Sequence, residues 1–127
     1  MKADIAVATV SWTRTAKEAE LVLKTIEALS RLELPVVIVD GGSGPKYLKK
    51  IKEIKNIVLL TSGKGLTARL IESQRQAAKL GEAIFYLHTD KFDFAQETAP
   101  KMIKFYRSLK KKGVLVPSRS AASMKTY

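Results

Sequence analysis

At 127 residues the chain has the length of one domain, and 46% hydrophobic with 28% charged residues excludes a disordered composition. It has no cysteine, so disulfides and thiolate metal sites are excluded, and no apolar run approaches the ~20 residues that span a bilayer. The net charge of +11 is uneven: residues 1–97 hold 15 basic and 12 acidic side chains, residues 98–127 eight basic ones and no acid.

Residues 4–10 are apolar apart from Asp4 and Thr9 and predict a buried strand. Thr15 and Glu18 have capping-box spacing, and Ala19, Val22, Leu23, Ile26 and Leu29 recur at helical spacing, so a helix is expected from there to about Leu32. Pro35 introduces a second apolar strand, Val36 to Val39, ending in Asp40. Gly41 to Pro45 is a loop, with Pro45 suited to open a short helix bearing Leu48, Ile51 and Ile54. Residues 57–60 predict a third strand and residues 61–65 a loop. The next helix carries Leu66, Leu70, Ile71, Ala77 and Ala78, with Gly81 placed to stop it. A fourth strand, Ala83 to Leu87, runs into His88-Thr89-Asp90 and Asp93. Thr98 and Pro100 start a helix with core residues Met102, Ile103, Tyr106 and Leu109, stopped by Gly113, before a last short strand at Val114 to Val116.

Strands apolar on both faces, alternating with helices, predict a three-layer α/β/α sandwich with a mostly parallel sheet. Ligands in such sheets lie beyond the carboxyl ends of the strands. Ser11 and Arg14, Asp40, Ser62 and Lys64, and His88, Asp90 and Asp93 are all expected there. No P-loop is present. Gly63-Lys64-Gly65-Leu66-Thr67-Ala68 matches G-x-G-x-x-[GA], but after the third strand, whereas the dinucleotide fingerprint belongs to the first βα turn. A helix start of this kind, with Lys64 and Arg69 nearby, suits phosphate, and a glycine loop needed only for backbone freedom suits it as well.

The order IAVATVSWTR, helix, VVIVDGGSG, short helix, NIVLLTSGKGLTARLIESQRQAAKLGEAIFYLHTD resembles the nucleotide-binding half of a family-2-like GT-A glycosyltransferase, a Rossmann-like fold. Asp40 with Gly41-Gly42-Ser43, Gly65 with Ala68-Arg69, Asp90, and the stretch from Val114 to Arg119 fill the family's positions, so the likeness covers residues 3–119. The resemblance implies a nucleotide-diphosphate sugar as donor. Thr9, Ser11, Arg14, Asp40 and Gly41 would hold base and ribose, and Arg69 with Lys64 would approach the diphosphate. Asp90 would bind Mg²⁺ or Mn²⁺, which stabilises the charge growing on a departing diphosphate.

Two departures accompany the likeness. The family's Asp-x-Asp reads His88-Thr89-Asp90, so His88 or Asp93 is a candidate second metal ligand, Lys91 a candidate substitute for its charge, and a hydrogen-bonded strand-end residue is the alternative role for His88. Asp40 has an alternative as the acceptor of an Asx turn with Gly41-Gly42. Residues 120–127 form a basic polar tail, expected to be flexible, with no acid to serve as general base toward an unknown hydroxyl acceptor. The chain is then a fragment, or is completed by a partner, homodimeric pairing included, or binds without catalysing. The basic residues 98–127 raise a second expectation, a module binding a polyanion such as RNA. A cytoplasmic protein without membrane insertion is expected in either case.

Overall fold

The computed structural model describes residues 2–89, 93–109 and 114–115. Strand β1 (Ala3–Ser11) leads to helix α1 (Ala16–Ser30), then β2 (Val36–Asp40), α2 (Pro45–Lys52), β3 (Ile57–Thr61), α3 (Leu66–Leu80) and β4 (Gly81–Tyr86). A wide π-type turn (Phe94–Thr98) precedes α4 (Ala99–Leu109), and β5 (Val114–Leu115) follows. The five strands form one sheet in the order β3-β2-β1-β4-β5, and every pairing is parallel. The expected α/β architecture, a parallel sheet with helices on both faces, is therefore the fold.

Side-chain alternation divides the core into two unlike halves. One face of the central strands presents Ile5, Val7, Val36, Ile38 and Phe85, packed against Val22, Ile26 and Leu29 of α1, Tyr47 and Ile51 of α2, and Ile103 and Tyr106 of α4. The other presents Ala6, Ala8 and Val37 to α3, the one helix on this face among the described residues, through Ala77 and Leu80. The small residues let α3 sit close to the strands.

Three local features differ from expectation. Helix α1 ends at Ser30, because Glu33 adopts φ 58° and the residue before Pro35 is driven out of the helical region, which tucks Leu34 into the core. Gly81 does not cap α3 in a left-handed conformation. It is extended (φ −140°, ψ 152°) and opens β4, where a Cβ would meet the Ala6 nitrogen at 2.5 Å. The last helical segment begins before Thr98, with the wide turn of Phe94–Thr98 leading directly into α4, which carries Pro100 as its second residue, where a missing N–H is tolerated. Arg107 on α4 ties down the start of β1, its Nε and Nη2 donating to the two Asp4 oxygens at 2.6 and 3.0 Å. That bonding holds the Asp4 carboxyl below its ordinary pKa. Gly113, Val116, Arg119 and the expected 120–127 tail lie outside the described residues. Among the described residues no helix is long and apolar enough to cross a membrane.

Candidate functional site

All strands point the same way, so their carboxyl ends share one rim. The chain steps outward from β1 through β2 to β3, then returns to β4 on the other side, and a crevice at such a reversal is where open α/β sheets bind ligands. Ser11, Asp40 and Thr61 are in register across β1, β2 and β3. The loops that follow them, residues 12–15, 41–44 and 62–65, form the rim.

Asp40 organises two of those loops. It has no exposed surface, yet both carboxylate oxygens are satisfied. Ser11 Oγ and Ser43 Oγ each donate to Oδ1 at 2.7 Å, and the backbone N–H groups of Gly42 and Ser43 donate to Oδ2 at 2.8 and 2.7 Å. This is the Asx-type turn anticipated as one role for Asp40, with Gly42 supplying the φ of 116° it needs. Ser43 Oγ also accepts from the Thr13 N–H at 2.8 Å, which fastens the β1 turn to the β2 loop. Tyr47 of α2 lies beneath, buried, its hydroxyl without a hydrogen-bond partner among the described residues. Burial pushes that phenol well above its ordinary pKa, the nearby Ser11 hydroxyl partly offsets this, and the Asp40 charge adds to it.

Arg69, in the first turn of α3, is the other buried charge of the rim, and its surroundings are the reverse. The residue is 9% exposed. Nη1 donates to the Lys64 carbonyl at 3.1 Å, and among the described residues Nε is buried with no partner and no carboxylate oxygen lies within ion-pairing distance. The guanidinium presses on the backbone of Gly41, where a Cβ would stand 2.4 Å from Nη1 and 2.7 Å from Cζ. Its Cζ is 6.0 Å from the ring centre of Trp12, and that of Arg14 is 5.1 Å from the same ring. Trp12 itself is 52% exposed. Lys64 is exposed, and its N–H is held by Ser62 Oγ at 3.2 Å.

The remaining candidates separate from this group. Thr9 has no exposed surface, and its hydroxyl donates to the Leu87 carbonyl at 2.6 Å. Thr89 Oγ1 reciprocates on the Val10 carbonyl at 3.0 Å, so the two threonines staple β1 to the end of β4. His88 is exposed, its Nδ1 3.5 Å from Tyr86 Oη with the rings edge to face. Asp93 is exposed at the start of the last helical segment. Asp90 and Lys91 lie outside the described residues. Among the described residues no three His, Cys, Asp or Glu side chains group to hold a metal. His88 and Asp93 offer one nitrogen and one carboxylate donor, a chemistry suited to an ion that keeps several waters. Of the basic α4 face, Lys101, Lys104 and Arg107 are exposed, and Arg107 is committed to Asp4. The Lys110 to Lys112 run lies outside the described residues.

The structure thus brings together Ser11, Arg14, Asp40, Gly41, Lys64 and Arg69, with Thr9 and His88 apart from them. Sequence reasoning left Ser43 and Tyr47 without a site role, and read Trp12 either as a ring to stack on a base or as an anchor for its loop. Ser43 bridges the loops, and Trp12 joins the cations. Tyr47 was signalled by its i, i+4 spacing from Ile51, the other buried residue of α2. Compared with family models and with curated proteins, the chain matches none.

Proposed function

We propose that the rim binds a nucleotide-diphosphate sugar, with the turn from Trp12 to Arg14 beside base and ribose and with Lys64, Arg69 and the start of α3 beside the diphosphate. In a catalytic assembly the sugar would pass to a hydroxyl acceptor, making the chain a glycosyltransferase-like donor domain. The observation that carries this is the half-exposed Trp12 ring flanked by the Arg14 and Arg69 guanidinium groups, at 5.1 and 6.0 Å. A nucleotide presents a flat π-system joined to concentrated negative charge, and an indole with neighbouring cations complements both parts.

Each side chain then has a stated task. Asp40, saturated by its own loop, acts by fixing Ser11 and Ser43 and hence the shape of both turns. Arg69 and Lys64 place positive charge at the mouth of α3. Mg²⁺ or Mn²⁺ held with Asp90, and with His88 or Asp93 as a further donor, would neutralise charge on the departing nucleoside diphosphate. No general base is assigned.

Calorimetric titration with UDP and GDP, each with and without Mn²⁺, tests the reading. Expected is saturable binding of one diphosphate in preference to its monophosphate, strengthened by Mn²⁺, the strengthening being lost in Asp90→Ala. Absence of heat for both nucleotides, with and without the ion, overturns it.

A further inference from the structure

We infer that the N-terminus of α3 and Arg69 form a pyrophosphate clamp that works on its own charges, holding a diphosphate without a divalent ion. The inference rests on the nucleotide-diphosphate reading and adds to it how the anion is neutralised.

Helix α3 is long enough, at 15 residues, to present a developed positive end. Its N-cap, Gly65, offers no side-chain acceptor, and no acid stands in the first turn. The first N–H groups, of Leu66, Thr67 and Ala68, therefore receive no side-chain cap from the N-cap residue of the kind helix starts ordinarily carry. Space is present as well: a Cβ at Gly63 or Gly65 would meet nothing within 4 Å. Anions seat at helix starts of this form.

Arg69 is the independent observation. A guanidinium that is nine-tenths buried is normally compensated by a carboxylate, because uncompensated burial of charge is costly. Among the described residues this one has the Lys64 carbonyl and the Trp12 ring, no carboxylate lies within ion-pairing distance, and its Nε has no partner. The Lys64 carbonyl directly precedes the N-cap, so the bond folds the guanidinium back over the mouth of α3. Gly41 is the residue that permits it, since any side chain there would occupy the guanidinium's place. Gly41 is accordingly a positioning residue for the clamp. With Arg14 and Lys64 exposed in the adjoining loops, three cations and the helix end, worth roughly half a charge, match the charge of a diphosphate group.

The test is titration of inorganic pyrophosphate, and separately of UDP and GDP, in the presence of EDTA, for the full chain and two variants. Arg69→Gln removes the cation. Leu66→Pro removes one helix-start N–H at a half-exposed first helical position that suits proline, the preceding Gly65 being already extended, so the fold is kept. Expected is one-to-one pyrophosphate binding without metal, weakened about tenfold or more by each variant, as loss of a hydrogen bond to a charged group does. If Arg69→Gln fails to fold, Leu66→Pro decides. No pyrophosphate binding in EDTA, or binding indifferent to Leu66→Pro, overturns the clamp. The two readings fail separately: UDP or GDP binding only with Mn²⁺ keeps the donor site and removes the clamp. Metal-free pyrophosphate binding with neither nucleotide bound in any condition keeps the clamp and removes the donor.

Discussion

Asp40 and Arg69 are buried charges on either side of Gly41, and the protein treats them oppositely. Asp40 receives four short hydrogen bonds from its own and the adjoining loop, all between 2.7 and 2.8 Å. Among the described residues Arg69 has one carbonyl and one aromatic neighbour, and its Nε is without a partner. A charge saturated from within serves the fold, whereas on the proposed reading a charge left short of partners at an open helix end serves an anion. The β2 loop is then the frame of the rim, and the mouth of α3 its proposed receptive part.

The largest expected consequence of this difference lies in stability. Asp40→Ala strips the acceptor from four buried or half-buried donors and is expected to cost about 3–5 kcal/mol in chemical denaturation. A loss below about 1 kcal/mol would mean that the loop does not depend on Asp40. Gly41→Ala is expected to cost about 1–3 kcal/mol, as overpacking does, and to displace the Arg69 guanidinium. Trp12, the chain's one tryptophan, reports the displacement as a shift in fluorescence emission. Unchanged emission and unchanged stability together would place Arg69 elsewhere.

The exposed pair Asp4–Arg107 sets the scale for an ordinary surface charge. Because the folded pKa of Asp4 is lowered from 3.8, its contribution is complete above that value and disappears as pH falls through the lower folded value. Asp4→Asn is therefore expected to cost about 0.5 kcal/mol at pH 7, and to cost nothing once Asp4 is protonated in both states. A cost that persists in acid would show that packing, not charge, is involved. Arg69→Met is expected to change stability least, staying near neutral or gaining slightly, since an apolar replacement removes an uncompensated buried charge. A loss comparable to that of Asp40→Ala would make Arg69 a second structural charge and erase the contrast.

How much of this was readable in the sequence follows from what each residue type can signal. Apolar runs ending in Ser11, Asp40 and Thr61 place the rim, because parallel strands leave polar groups nowhere else to go. The strand order is the ordinary outcome of consecutive βα units. The buried face of α3 was misread in part. Its apolar residues suggested Leu66, Leu70, Ile71, Ala77 and Ala78, of which Ala77 is buried against the sheet together with Arg69 and Ser73, whereas Leu66 and Ile71 are half exposed. The strands beneath it present Ala6 and Ala8, so close packing selects small side chains there, and an arginine at the helix start is enclosed by the loops rather than by the core. Nothing in a single sequence distinguishes an enclosed arginine from a solvated one. Gly81 stops α3 as its position suggested, but its lack of a Cβ serves the close approach to Ala6, which the sequence did not announce.

The central claim is that the mouth of α3 and the two adjoining loops receive a nucleoside diphosphate, and the amide spectrum of the isotopically labelled chain during titration with UDP or GDP tests it most directly. Expected are progressive shifts of Gly41, Gly42 and Ser43, of residues 62–69 and of the Trp12 indole N–H, with α4 undisturbed. Shifts confined to Lys101, Lys104 and their neighbours, with the rim unmoved, would contradict it and assign anion binding to the basic α4 face instead.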